Sequence, residues 1–312
     1  MTPTQLRSFA TVVRLGTVRA AAVELGVSEA AVSGNVGALR KELDDRLFHP
    51  SHNGLVFTPG GIRLAQRAVE MLGLQEQTRR EVSDAHGGRR HLRVVATSLF
   101  AEYAAPGLIE RFSTRADDLE VELVVGSSDR FDELLSSHTA DVVIGPVSKS
   151  ATIDGLTSTE FLRYGVVGVC SPEVAVTDIS RAQWHLGPSA VEPAGVSRTI
   201  VERMRVPEDN QRIYTSHAAA LAKARDGHGV ALVPKFVADR STTTGELVLV
   251  NDRNCAATGT WTARSWRSDR ASSAARELMR FVTTPQAIQA MLAGSGSRIG
   301  RFKPRVHITL WS

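Results

Sequence analysis

Residues 17–39, Thr17-Val-Arg-Ala-Ala-Ala-Val-Glu-Leu-Gly-Val-Ser-Glu-Ala-Ala-Val-Ser-Gly-Asn-Val-Gly-Ala-Leu39, decide how the chain begins to fold. They spell two helices meeting at a sharp turn. Ala20, Ala21, Val23 and Leu25 give the first a small apolar inner face. Gly26 ends it, because a residue without Cβ enters the left-handed region at no steric cost. Ser28 caps the second helix, and Ala31, Val32, Val36 and Leu39 repeat on one face. Two helices crossing steeply over so short a turn need small contacts, which the alanines supply. This is the construction of a helix-turn-helix, whose second helix enters the major groove of DNA. The alternative is an ordinary helical hairpin within a larger core.

The flanks favour the first reading. Leu6, Phe9, Ala10, Val13 and Leu15 form an amphipathic helix able to cover the hairpin. Leu47-Phe48 and Leu55-Val56-Phe57 bracket Ser51-His52-Asn53-Gly54. Asn-Gly between apolar runs signals a tight β-hairpin, since both central turn residues need positive φ. A hairpin after a recognition helix is a wing. Thr58-Pro59 then opens a long helix, a capping residue followed by proline at the first helical position. Leu64, Ala68, Leu72 and Val82 fall on one narrow stripe of it. A stripe that narrow suits a partner helix better than a core, and predicts a dimer.

Thr4-Gln5-Leu6-Arg7-Ser8-Phe9, Ala20-Ala21-Ala22, Val27-Ser28, Ser33, Glu42-Leu43, Arg46-Leu47-Phe48 and Thr58-Pro59-Gly60-Gly61 stand in an order and spacing that resembles the LysR-type transcriptional regulators. The resemblance covers almost the whole chain. It implies an α/β architecture: an N-terminal winged helix-turn-helix over residues 1–58, a dimerising linker helix and hinge over 59–90, and a two-lobed effector domain shaped like periplasmic binding proteins over 91–284. It also implies promoter DNA as a partner, a homodimer or dimer of dimers, contact with RNA polymerase, and a small-molecule effector. On this resemblance the DNA-facing residues are Val18, Arg19, Ser28, Glu29, Ala30, Ser33, Gly34, Asn35, Arg40, Lys41 and Asn53. Several depart from the family pattern. Glu29-Ala30 stand where Gln-Pro is usual, Gly34 replaces an arginine, and Pro50 and Asn53 fall where arginines are usual. A carboxylate accepts from cytosine N4 but is repelled by phosphates, so the base preference is expected to differ.

Charge agrees with those departures. Residues 1–60 carry six basic side chains (Arg7, Arg14, Arg19, Arg40, Lys41, Arg46) against five acidic ones (Glu24, Glu29, Glu42, Asp44, Asp45). A near-neutral reading head predicts weak binding to a single site and a shallow salt dependence, compensated by linked half-sites. The net charge of +4 comes from residues 285–312, where Arg298, Arg301, Lys303 and Arg305 face no acid. That stretch reads as a solvated basic tail, or else as an auxiliary phosphate-contacting arm.

At 312 residues, 42% hydrophobic and 22% charged, the chain is long enough for two or three domains of ordinary soluble composition. It has no apolar run of membrane-spanning length and no leader pattern, so a cytoplasmic protein is expected. Cys170 and Cys255 are too few and too far apart for a disulfide framework or zinc site. His86-Gly87-Gly88-Arg89-Arg90 breaks the linker helix. Beyond it, strands at 92–96, 121–125 and 141–145 alternate with helices at 104–112 and 131–137, which predicts a parallel sheet with right-handed crossovers. Residues 164–170 cross into a second lobe, which holds helices 196–205 and 217–226 and strands 229–234 and 247–250. Residues 261–266 return to the first lobe, where 271–283 form a helix. Lobe I thus takes about 91–163 and 264–284, and lobe II about 164–263.

Open α/β sheets bind ligands outside the carboxyl ends of their strands. Those ends offer Thr97, Ser98, Ser127, Ser128 and Pro146 in the first lobe, and hydroxyls with free backbone N–H groups there suit an anion, particularly a carboxylate. By resemblance Ser197, Ser216 and His217 line the opposite wall. Each serine or threonine has helix capping as its competing reading. The chain has no Gly-x-Ser-x-Gly elbow, phosphate loop or His-Glu-x-x-His, so no catalytic residue, metal or cofactor is expected. Two rivals stay open: a solute-binding protein, and a regulator with degenerate DNA reading that works through a partner.

Overall fold

The computed structural model describes residues 1–293 apart from 53, 87, 116–117, 147–152, 175–178, 180 and 268. Contacts divide the chain into two compact units, one built on residues 1–87 and the other on residues 88–135 and 140–293.

The first unit opens with α1 (Pro3–Leu15), whose start is a capping box between Thr2 and Gln5. Then come α2 (Val18–Leu25), capped by Thr17 and ended by Gly26 at φ 66°, and α3 (Glu29–Leu43), capped by Ser28. Strands β1 (Phe48–Ser51) and β2 (Gly54–Phe57) pair antiparallel with Ser51 opposite Gly54, the expected hairpin. Helix α4 (Pro59–Ala85) follows, with Thr58 as its cap. The core joins Leu6, Phe9 and Val12 of α1 to Ala21 and Ala22 of α2 and to Val32, Val36 and Leu39 of α3.

Three expectations about faces shift here. Val23 is 78% exposed, and the inner face of α2 is Ala21 and Ala22. An unbroken Ala-Ala-Ala run carries no phase, so its sequence cannot say which alanines point inward. Ala31 is exposed, and Val12 rather than Val13 is buried in α1. The linker stripe is corrected more substantially. Leu64 and Ala68 are buried in this unit's own core and Leu72 packs against it; only Val82, 53% exposed, stays open. The stripe is narrow because its first half serves the chain's own helices.

The second unit contains, in order, β3 (Arg90–Ala96), α5 (Ser98–Tyr103), α6 (Ala105–Ser113), β4 (Leu119–Val125), α7 (Phe131–Ser136), β5 (Val142–Gly145) and β6 (Leu156–Cys170). Next are β7 (Trp184–Leu186), α8 (Val196–Met204), β8 (Gln211–Ile213), α9 (His217–Arg225), β9 (Val230–Pro234) and α10 (Lys235–Thr243). It closes with β10 (Val248–Leu249), β11 (Ala256–Trp266), α11 (Ser273–Phe281) and α12 (Pro285–Ala293). The strands form one mixed sheet in the order β4-β3-β5-β11-β6-β9-β7-β8, with β10 against β6. β3 runs parallel to β4 and β5, and β7 parallel to β8 and β9.

Two long antiparallel strands tie these parallel halves together. The start of β6 and the end of β11 belong to lobe I, where Thr262 to Ser265 pair with β5; Val166 to Val169 of β6 pair with β9 in lobe II. A register shift between Trp261 and Thr262 marks the crossing. Trp261, fully buried, stacks on Tyr164 at 4.0 Å and takes Phe100 edge-on at 5.0 Å. The expectation that the chain is tail from residue 285 is corrected. Residues 285–293 form α12, with Ala287 and Met291 buried. At Gly107 of α6 a Cβ would lie 2.1 Å from the Ala290 carbonyl oxygen, so the two backbones touch directly. Residues 294–312, with all four tail cations, lie outside the described residues.

Candidate functional site

In the first unit Ser28, Glu29, Ala30, Ser33, Gly34 and Lys41 are exposed on α3, with Arg19 exposed and Val18 half-buried on α2. Ser28 spends its hydroxyl oxygen on the Ala31 N–H at 3.2 Å. A Cβ at Gly34 or at Gly37 would meet nothing within 4 Å, so this face of α3 is smooth and open. Two of the residues expected at the DNA also make contacts within the unit. Asn35 donates its amide to Ser8 Oγ at 2.9 Å and braces α3 on α1. Arg40 lays its guanidinium 4.2 Å over the Phe48 ring and donates to the Phe48 carbonyl at 3.2 Å, securing the hairpin. A long basic side chain near the wing reads as a phosphate contact in sequence, but an aromatic within reach captures it. Asn53 lies outside the described residues.

In the second unit the predicted effector residues divide. Ser98 and His217 meet: Ser98 Oγ lies 3.1 Å from His217 Nε2. Ser98 also donates its hydroxyl (2.5 Å) and its backbone N–H (3.1 Å) to Oε1 of Glu192, which precedes α8. With that hydroxyl proton committed to the carboxylate, His217 is the donor to Ser98 Oγ and carries its proton on Nε2. The ring is seated against Gly187, where a Cβ would lie 2.0 Å from Nδ1. Thr97 and Ser128 are buried, Ser127 and Pro146 half-buried, beside the strand ends as expected.

The other two make local contacts. Ser197 is buried and shares a 2.7 Å hydrogen bond with Ser189, and Ser216 caps α9 by accepting from Ala219 N–H at 3.1 Å. Both are the capping and packing roles that short hydroxyl side chains take at helix starts. Sequence reasoning missed the two carboxylates. Glu192 is one. Glu102 of α5 is the other, accepting from the backbone N–H of His217 at 2.8 Å and of Ala218 at 2.5 Å. Neither stands in a motif, and each finds its partner only through the sheet that brings the lobes together.

Burial governs the electrostatics here. It raises the Glu192 and Glu102 carboxyls above the usual range, against the lowering effect of the hydrogen bonds each accepts. Burial pushes His217 down to about 4, so the ring is neutral at pH 7. The Cys255 thiol is pushed up to about 12 and Cys170 is raised, which makes both poor thiolates. A cavity of about 660 Å³ in the second unit is lined by Pro146, Val166, Val196, Thr199, Arg203, Lys235 and Thr258. Arg203 donates to the Ala256 carbonyl at 3.1 Å, and Lys235 pairs with Asp239 at 2.5 Å. The described residues contain no cluster of metal-ligating side chains.

Comparison with known proteins agrees with this architecture. The LysR substrate binding domain pattern matches residues 85–285, and that of the bacterial regulatory helix-turn-helix protein, lysR family, matches residues 3–62. An uncharacterized HTH-type transcriptional regulator of Mycobacterium tuberculosis (strain H37Rv) is 48% identical over 321 aligned positions, covering 100% of both chains. The regulator ClcR of Pseudomonas putida is 27% identical over 75% of this chain and 83% of its own. Among solved structures, CbnR, a LysR family transcriptional regulator, superposes with a TM-score of 0.60 at 17% identity, covering 93% of this chain and 99% of its own. LysG from Corynebacterium glutamicum, with its effector Arg bound, gives 0.53 at 18% identity, covering 94% and 99%.

Proposed function

Because the chain belongs to the LysR family of transcriptional regulators, with a helix-turn-helix and an effector-binding domain, we propose that it reads promoter DNA through α3 as a homodimer or dimer of dimers. The observation that supports this most directly is the open face of Ala30, Ser33, Gly34, Gly37 and Lys41, which nothing in its own unit covers. The proposal includes a cytoplasmic, non-enzymatic protein whose bound complex engages RNA polymerase. No helix among the described residues is long and apolar enough to cross a membrane.

The effector in this proposal is a small molecule with an apolar body and an anionic group, held in the cavity by Pro146, Val166 and Val196 and by the Arg203 and Lys235 cations. It shifts the regulator only by binding one arrangement of the chain more tightly than another. Arg203→Ala is expected to weaken benzoate binding at least tenfold by calorimetry; unchanged affinity would remove Arg203 from the site.

The first test is a salt titration of the purified full chain on DNA from its own upstream region, against scrambled DNA. Preferential binding with two protected half-sites a whole number of helical turns apart is expected. No preference at any salt would favour the partner-dependent regulator. That second reading draws support from the internal hydrogen bonds of Asn35 and Arg40.

A further inference from the structure

Two carboxylates cross between the lobes in opposite directions. Glu192 leaves lobe II and ends on the amide and hydroxyl of Ser98, at the start of α5 in lobe I. Glu102 leaves α5 in lobe I and ends on the amides of His217 and Ala218, at the start of α9 in lobe II. His217, 2% exposed, closes the loop between them by donating to Ser98 Oγ. All these acceptors are matched by donors of the opposite lobe.

We propose that Glu192 and Glu102 form a reciprocal latch that holds the lobes closed without any effector, and that Glu192 makes the chain its own carboxylate ligand at Ser98. The donors that the strand-end rule offers to an effector carboxylate are already occupied by a side chain tethered a few residues before α8. An incoming effector therefore takes the cavity by Arg203 and Lys235 with the latch closed, or displaces Glu192 and separates the lobes. Glu192 is in this sense a specificity residue: it excludes a free carboxylate from Ser98 and leaves the cavity by Arg203 and Lys235 as the place for one. This rests on the effector-cleft reading above, but its test needs neither effector nor DNA, so the two can fail separately.

The lobes are reported by spin labels on Arg111→Cys (α6) and Glu208→Cys (before β8), both exposed, the native cysteines being buried. A single narrow distance distribution is expected for the otherwise unaltered effector-free chain. It is expected again for Glu192→Gln, whose amide oxygen still accepts from Ser98. Glu102→Ala combined with Glu192→Ala is expected to add a second, longer population. One unchanged narrow distribution in that variant overturns the latch. Should the double variant not fold, amide exchange in the single variants decides. Glu192→Ala is expected to speed exchange at Ser98 at least tenfold, and Glu102→Ala at His217 and Ala218. Equal exchange rates in parent and variants overturn the proposal.

Discussion

His217 is the residue whose protonation matters most to the folded chain. Its ring is almost fully buried, donates to Ser98 and has its pKa pushed down to about 4, against about 6.5 when unfolded. The folded chain resists protonating it, so its contribution is fully present above pH 6.5 and is lost as pH falls toward 4. The difference corresponds to about 3 kcal/mol at the acid end. Glu192 and Glu102 act in the opposite sense. Their raised carboxyls bind a proton more readily folded than unfolded, so acidification above their ordinary range relieves part of the loss. His217→Gln is therefore expected to flatten the acid limb: melting temperatures at pH 7 and pH 5 should draw closer than in the parent, and an identical pH profile would show that His217 is not the titrating group. Ser98 could be named in sequence by its place after a strand, and His217 only by the family resemblance. Their carboxylate partners could not be named, because residues about a hundred apart carry no local signal of contact.

At the scale of elements, α3 presents an apparent contradiction. Gly34 and Gly37 sit inside a fifteen-residue helix, exposed, with no neighbour that a Cβ would disturb. Each costs the helix about 1 kcal/mol relative to alanine and serves no packing role within the unit. Close approach of the helix to a partner surface, DNA in the reading above, is the compensating gain. Gly34→Ala with Gly37→Ala is expected to raise stability by about 1–2 kcal/mol in urea unfolding and to weaken operator binding. Greater stability with undiminished affinity would show that the smooth face is not used. The linker helix separates in the same way. Ala68→Asp is expected to unfold the first unit, because Ala68 is buried, whereas Val82→Asp should leave it folded and weaken self-association by sedimentation. Helices with caps and a clear 3.6-residue period could be read in advance. The three-residue strands β7 and β8 could not, being too short to show alternation, and nor could the phase of the alanine run.

For the whole molecule, one sheet serves both lobes, and its parallel halves were legible from the alternation of apolar runs with helices. The length of β6 and β11 was not, because their lobe I portions, rich in Thr and Ser, lack an apolar run. Charge is distributed less evenly than structure. Arg40 is turned inward, which leaves Arg19 and Lys41 as the basic members of the DNA-facing set. If those two alone displace counterions, log K should fall against log salt with a slope of only about 2 per protomer, at ~0.9 per phosphate neutralised. The four cations of residues 294–312 are a separate reservoir. Deleting those residues from the full chain is expected to leave the slope unchanged if they are merely solvated, as most charged termini are. A fall of three or more units on deletion would instead make them the main electrostatic contact of a regulator whose own reading head is almost neutral.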